Sequence, residues 1–407
     1  MNDTQLYEQL LSLEPPWKVS EVQIDDNLEE INVKITYNST KAHCPECGKL
    51  CSLYDHREQR RWRHLDTCQM KTILICRVPR LDCPEHGKRT LPVPWSRPHS
   101  RFTLLFERLA IDLLRNFKKQ YRVSDQLRIS FDQLNRIMQQ AVERGLERRD
   151  RDELIEHIGI DEKSYAAKHQ YSTVLVDLDR RRVLDLAQNR TEQAAQHLLK
   201  ESLTKTQRQQ VKAISMDMWK AYILAAQKLL PDADIVHDHF HLLKYLNQSI
   251  DQTRRQEMKT LDNDRKAHLK NTRYIFLSNP LRMKDSYKLK IIDLQFLNLD
   301  TAKAWQIKEN FKLVFQCDYI NDAKNVLTAW IKEALRSNLN PVIKVANMFL
   351  KHSHNILNYV KHRITNSVVE AINSLIQEIK YVARGFRKYE NYRISVIFHL
   401  GKLDLYP

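Results

Sequence analysis

Two short stretches of this sequence are near copies of one another: Cys44-Pro-Glu-Cys47-Gly and Cys83-Pro-Glu-His86-Gly. In each, two metal-ligating side chains flank a tight turn closed by glycine, so both face one ion. Three thiolates and one imidazole make a closed tetrahedral zinc site of the structural kind. Such a site staples the intervening chain into one small module, and the Cys-, Arg- and Pro-rich composition up to Pro98 suggests a β-rich one. Cys51, Cys68, Cys76 and Cys317 lack the spacing and read as packing or incidental residues. Six of the 7 cysteines fall between Cys44 and Cys83, which points to metal in a reducing compartment rather than to disulfides.

The charge narrows the partner. Lys plus Arg number 66 against 50 Asp plus Glu, a formal net charge of +16. A surplus that large repels itself unless a polyanion is the usual companion, and nucleic acid is the simplest such partner. The first residues carry acids and a Pro pair but no apolar run, and no stretch of eighteen apolar residues occurs anywhere. The sequence therefore predicts neither a secretory signal nor a membrane span, and the expected location is the cytoplasm. Arg57, Arg60, Arg61 and Arg63 surround Trp62, a pattern that suits phosphate contact and stacking, or equally a solvated charged loop. Phe117 to Gly145 reads as two helices broken near Arg128–Ser130. Ser130 would cap the second, a candidate groove reader carrying Gln133, Asn135 and Arg136.

Before the first knuckle, Val22–Asp25 and Ile31–Tyr37 alternate as a hairpin would. Beyond the helix pair, Leu154 to His241 reads β-β-β-α-β-α-β-α, an α/β sheet covered by helices. Asp161 and Asp217 each end a strand. If those strands are neighbours, both carboxylates project from one sheet edge, and only a multivalent cation such as magnesium would keep both ionised. Glu370 is the best third acid, on the polar face of a helix from Ser367 to Lys380. Each acid has a plainer reading: Asp217 as a helix cap, Ser367 and Glu370 as a capping box, Asp161 as a turn acid. His237-Asp238-His239-Phe240-His241 is a rival metal cluster, or a strand-end acid with surface histidines.

Recurring motifs resolve much of this. Trp62-Arg-His-Leu-Asp66, Arg77-Val-Pro-Arg80, Val93-Pro-Trp95, Ser100-Arg-Phe-Thr103, Gly159-Ile-Asp-Glu-Lys-Ser164, Ser215-Met-Asp-Met-Trp219, Asp238-His-Phe-His241, Thr365-Asn-Ser367, Ala383-Arg-Gly-Phe386 and Gly401-Lys-Leu-Asp-Leu-Tyr-Pro407 occur in this order. Along nearly its whole length the chain resembles the ISL-three family of insertion-sequence transposases. That resemblance implies a zinc-binding N-terminal domain, a helix-turn-helix and a DDE catalytic domain of ribonuclease H-like fold. It carries the catalytic acids onto Asp161, Asp217 and Glu370 and makes Asp238 an accessory acid, so the zinc-hydrolase reading of the histidines falls away. His86 departs from the family, where the second knuckle usually has Cys, and Ser367-Val-Val-Glu370-Ala is less standard around its acid. The gap from Asp217 to Glu370 is far longer than that from Asp161 to Asp217, which predicts a helical insertion.

The expected organisation is a helix and hairpin over 1–40, a zinc-binding domain over 41–100 and a helix-turn-helix over 101–150. A ribonuclease H-like domain follows in two parts, 151–245 and 355–407, split by a mostly helical insertion over 246–354. The expected activity is that of a magnesium-dependent DNA transposase with two magnesium ions (or manganese) and one structural zinc. It would bind the terminal inverted repeats of its element and the target DNA, as a homodimer in the synaptic complex, in a bacterial cytoplasm on the nucleoid. Arg384, Arg387 and Lys388 join the candidate DNA contacts. A non-catalytic zinc-finger and helix-turn-helix regulator is the alternative, and a resolving nuclease of the same fold a third reading.

Overall fold

In the computed structural model, which describes residues 2–27, 29–166, 170–278 and 283–407, the chain forms two compact units. The first comprises residues 1–149 together with 403–407, and the second residues 150–402.

In the first unit, helix α1 (Asp3–Leu10) precedes strands β1 (Trp17–Asp25), β2 (Glu30–Tyr37), β3 (Lys41–His43), β4 (Leu50–Arg63), β5 (Lys71–Cys83) and β6 (Gly87–Thr90). They form one sheet in the order β1-β2-β5-β4-β3, with β6 also paired to β5. β5 sits centrally because Thr72–Cys76 is a continuous buried run that no edge strand could hide. The Arg57–Arg63 segment is therefore paired strand and not a loop. Trp62 is fully buried, its ring edge-on to Trp95, and Trp95 is edge-on to Trp17. Helices α2 (Leu104–Asn116), α3 (Gln120–Leu127) and α4 (Phe131–Glu147) follow. The break between α3 and α4 falls as expected, and it needs no glycine because Arg128 takes the left-handed conformation at φ 52°. Ser130 caps α4 in a full capping box with Gln133. The last five residues, expected with the second part of the catalytic domain, belong to this unit. Arg148 binds Asp404, and the Tyr406 hydroxyl donates to Asp112 on α2.

The second unit is built on strands β7 (His157–Ala166), β8 (Gln170–Asp177), β9 (Arg182–Gln188), β10 (Ala213–Met216) and β11 (Asp234–His237), in the order β11-β10-β7-β8-β9. β10 runs parallel to both β7 and β11, whereas β7, β8 and β9 are antiparallel. Successive side chains alternate between faces. Ile158, Ile160, Ile214 and Met216 share an apolar core with helices α5 (Glu192–Ser202) and α7 (Lys220–Leu229). Helix α5 stops at Ser202, and Thr204 caps a separate turn, α6 (Lys205–Gln210).

The expected insertion is helical throughout its described residues: α8 (His239–Thr260), α9 (Asn263–Leu269), α10 (Arg273–Leu277), α11 (Asp285–Phe296), α12 (Asp300–Phe311), α13 (Ile320–Leu335), α14 (Asn340–Lys351) and α15 (Ser353–His362). Its core gathers Leu242, Leu246, Ile250, Phe311, Trp330 and Phe349. Glu257 joins α8 to α12 by accepting the Asp300 and Thr301 amides, so a buried carboxylate satisfies orphan donors at a helix start. The chain returns through α15, where Asn358 donates to the Ile235 carbonyl of β11. It then enters α16 (Ser367–Val382) and ends the unit with α17 (Tyr389–Leu400). No helix among the described residues is long and apolar enough to cross a membrane.

Candidate active site and metal centre

Asp161 and Asp217 stand level on neighbouring strands. β7 and β10 run parallel with Gly159 opposite Ser215, and each aspartate lies two residues further on. Period-2 alternation then puts both on the face that carries Gly159. That face meets α16, whose Val369 packs over the bare Cα of Gly159. One residue on, α16 presents Glu370, and one turn later Asn373 donates to Asp161 Oδ2 at 2.8 Å. Asp238 follows β11 and His241 lies in the first turn of α8. Ligand atoms of Asp238, His241 and Glu370 all lie within 4.8 Å of one another.

His241 links the group, with Nδ1 3.2 Å from Asp217 Oδ2. Burial pushes the Asp161 carboxyl up to about 6, outweighing the Glu162 amide and the charge of His241, with Asp217 adding to the rise. Burial also opposes ionisation of Asp217, but the His241 hydrogen bond and charge and the Met218 amide hold it below the usual carboxylate range. The same contact raises His241. Glu370 is raised, first by burial and then by the negative charge of Asp238. His241 thus stands between Asp217 on one side and Asp238 with Glu370 on the other. Asp238 Oδ2 is buried and has no hydrogen-bond partner. A buried carboxylate oxygen in that state is strongly disfavoured, and hard oxygen donors fit a divalent cation.

The plainer readings of two acids fail. The residue preceding α7 is Trp219, so Asp217 does not cap it. The residue preceding α16 is Asn366, with no side-chain cap bond, so Ser367 and Glu370 form no capping box. Of the three histidines in the rival cluster, His241 lies against Asp217 and His239 Nδ1 stands 3.7 Å from Asp238 Oδ1, while His237 is turned away. His237 is fully buried between the Met216 carbonyl and Asn355, and burial lowers it to about 4. His239 lies against the Phe315 and Tyr359 rings. Sequence reasoning missed His241 and Asn373 as members of the site. The i, i+3 spacing from Asp238 to His241 on one helical turn was the available signal for the first.

In the first unit the two knuckles converge. Cys47 Sγ lies 3.7 Å from Cys83 Sγ, and His86 Nδ1 lies 3.6 Å from Cys83 Sγ and 3.9 Å from Cys44 Sγ. Zinc bonded at about 2.3 Å to sulfur and about 2.0 Å to nitrogen separates tetrahedral ligands by about 3.5–3.8 Å, so the donor set fits that ion. Burial works against the Cys83 thiolate, yet His86 and nearby amides bring the thiol down to about 6. His86 Nε2 points at Glu46, 3.5 Å away, which fixes the ring orientation.

The candidate DNA contacts divide. Arg57, Arg60 and Arg61 line a groove on the sheet together with Arg97 and Arg101. Arg63 does not belong with them: it is 9% exposed, pairs with Asp66 and lies over the Phe106 ring. A guanidinium drawn inward to neutralise Asp66 is unavailable to phosphate. Gln133 is exposed but its side-chain oxygen is taken by the Ser130 amide. Arg136, also exposed, lines a cavity with His99 and Arg101, and Asn135 is half-buried beside it. In the second unit, Arg384, Arg387 and Lys388 are exposed in the turn between α16 and α17, where Arg384 and Gly385 are left-handed.

These features define a transposase with its own DNA-binding modules. Residues 158–396 match the transposase model of the ISL3 family, residues 40–86 the zinc-finger of transposases IS204/IS1001/IS1096/IS1165, and residues 91–142 the helix-turn-helix domain of transposase family ISL3. The chain belongs to the ISL3 family of insertion-sequence transposases. It is similar to the transposase for insertion sequence element IS1557 of Mycobacterium tuberculosis, 24% identical over 95% of this chain and 93% of that protein. It is likewise similar to the transposase for IS1001 of Bordetella parapertussis, 26% identical over 87% of each. A zinc ribbon and a helix-turn-helix on a transposase make DNA its partner.

Proposed function

We propose that this protein binds the terminal inverted repeats of its own element, cuts DNA beside them and joins the freed 3′ hydroxyl to a target phosphate. The observation that carries this reading is the level placement of Asp161 in β7 and Asp217 just past β10, with Val369 of α16 packed on Gly159 and Glu370 next to it. A mixed sheet in which three parallel strands adjoin an antiparallel pair supports a ribonuclease H-like fold. Asp161, Asp217 and Glu370 would hold two magnesium ions (manganese is an acceptable substitute), with Asp238 as an accessory acid. Bound magnesium would supply charge to activate the attacking oxygen and stabilise the leaving one. The chain's own groups do the rest: Asn373 fixes the Asp161 carboxylate and His241 orients Asp217. Structural zinc, one ion, holds the end-binding module. The reading extends to a homodimer in the paired-end complex and to a cytoplasmic, nucleoid-bound protein.

A nicking assay tests this, on duplex DNA carrying the inverted repeat that flanks the gene. Asp217→Asn and Glu370→Gln remove charge but no helix cap. Each should fold and bind ends normally while losing cleavage by about a hundredfold or more, as lost Lewis-acid stabilisation of several kcal/mol implies. Cleavage near the wild-type rate in Asp217→Asn would reject this role of the acid, and no cleavage by the wild type would favour the non-catalytic regulator.

A further inference from the structure

α8 does more than present His241. Over its next turns it lines a cavity of about 550 Å³ inside the helical insertion. Phe240, Lys244, Asn247 and Arg255 follow one another at helical spacing along this wall, and Arg273 and Lys312 stand on others. The lining combines three chemistries. Phe240 is 54% exposed, an aromatic face open for stacking. The Asn247 side-chain oxygen is buried without a partner, an acceptor waiting for a donor. The cations outnumber their acids: Asp251 serves Arg255 and Arg273, Glu309 serves Lys312 and Lys308, and Lys244 has no acidic partner among the described residues.

We propose that this cavity receives one nucleotide of the DNA strand that enters the acid cluster, swung out of its stack. The base lies against Phe240 with an amine on Asn247, and the backbone phosphate sits among Lys244, Arg255 and Arg273. This rests on the strand-cleavage reading above. Its size is that of a pocket for a small organic ligand. Its place is also right: at about 1.5 Å per residue, Lys244 lies about 5 Å along the helix from His241, so a strand held at the acids passes its mouth. Aromatic stacking, an amide acceptor and cations are the set that holds an unstacked base and its phosphate. A site for free inorganic anions would need neither the aromatic ring nor the amide.

The test uses the full chain and the repeat-bearing duplex, with 2-aminopurine placed in turn at each position around the nicked phosphate and calcium replacing magnesium. Wild-type protein should raise the fluorescence several-fold at one position. Phe240→Ala and Asn247→Ala should abolish that rise while DNA affinity, followed by anisotropy, stays within a few-fold. Their nicking in magnesium should fall by about 5- to 100-fold, the range for removing a base-stacking contact. An abasic nucleotide at the responsive position should restore it, a rescue that a merely misfolded variant would not show. No rise at any position overturns the proposal. It falls alone where wild type nicks the duplex, and together with the cleavage reading where it does not. A rise retained by both variants overturns it as well.

Discussion

Val369 occupies the space where a side chain at Gly159 would begin: a Cβ built on Gly159 would stand 2.5 Å from Val369 Cγ2. Strand β7 and helix α16 touch because residue 159 has no side chain, and Asn373 reaches Asp161 through that contact while Glu370 comes to Asp238 and His241. Gly159→Ala should therefore push α16 outward. The expected cost is about 1–3 kcal/mol of stability, as for other overpacked sites, with a disproportionate loss of cleavage. Thermal melts and nicking rates on the same preparation check this. A variant with full activity would show that the close approach does not position Glu370.

Asp161 should make the metal-free protein less stable at neutral pH than at mildly acid pH. Its carboxyl is raised to about 6, mainly by burial. The unfolded chain releases that proton near pH 4, so the native state binds it more tightly. Stability contributed by this group is complete below about pH 4 and lost as pH rises through about 6, by about 3 kcal/mol at most. Asp161→Asn keeps one of the two accepted hydrogen bonds and should melt above wild type at pH 8 without metal, by about 1–2 kcal/mol. The gap should close toward pH 4, and magnesium should stabilise wild type alone. Equal melting at pH 8 would contradict the burial.

Zinc affinity should depend on a residue that does not bind zinc. Glu46 faces His86 Nε2 and is itself held by Arg89. Glu46→Ala should weaken zinc binding by about tenfold, the low end for loss of such a partner. Cys83→Ser should release the ion and unfold the module, and His86→Cys should retain it. Competition with a chromogenic chelator measures all three, and unchanged affinity in Glu46→Ala would show that the contact does not orient the ring.

The last residues should matter to the helix-turn-helix. Tyr406 donates to Asp112, accepts from Arg115 and lies under the Arg108 guanidinium, all on α2. Leu403 covers Gly145 on α4 so closely that an added Cβ would stand 2.7 Å away. Tyr406→Ala should destabilise the first unit by about 1–3 kcal/mol, and removing residues 403–407 should do more and weaken DNA binding. Denaturant unfolding and DNA titrations at fixed salt would decide this.

Sequence by itself determined the pieces whose signals are local. Ligand spacing and turn glycines specify the zinc knuckles, Ser130 specifies the start of α4, and short apolar runs specify the two strands, although β7 runs on to Ala166 where the sequence predicted an end at Asp161. Each depends on neighbours within a few residues, where backbone geometry alone decides the outcome. Helix α17 escaped because Tyr392 and Ile394–Phe398 are buried on all sides, leaving no amphipathic period to read. Tertiary structure decided the rest. Strand order made Asp161 and Asp217 neighbours, and the close approach at Gly159 brought Asn373 to Asp161 and Glu370 to Asp238 and His241. Folding turned Arg63 inward and set His241, not His237, against Asp217. These outcomes depend on which elements meet across long stretches of chain, and burial and electrostatics act on side chains only once those elements are packed together.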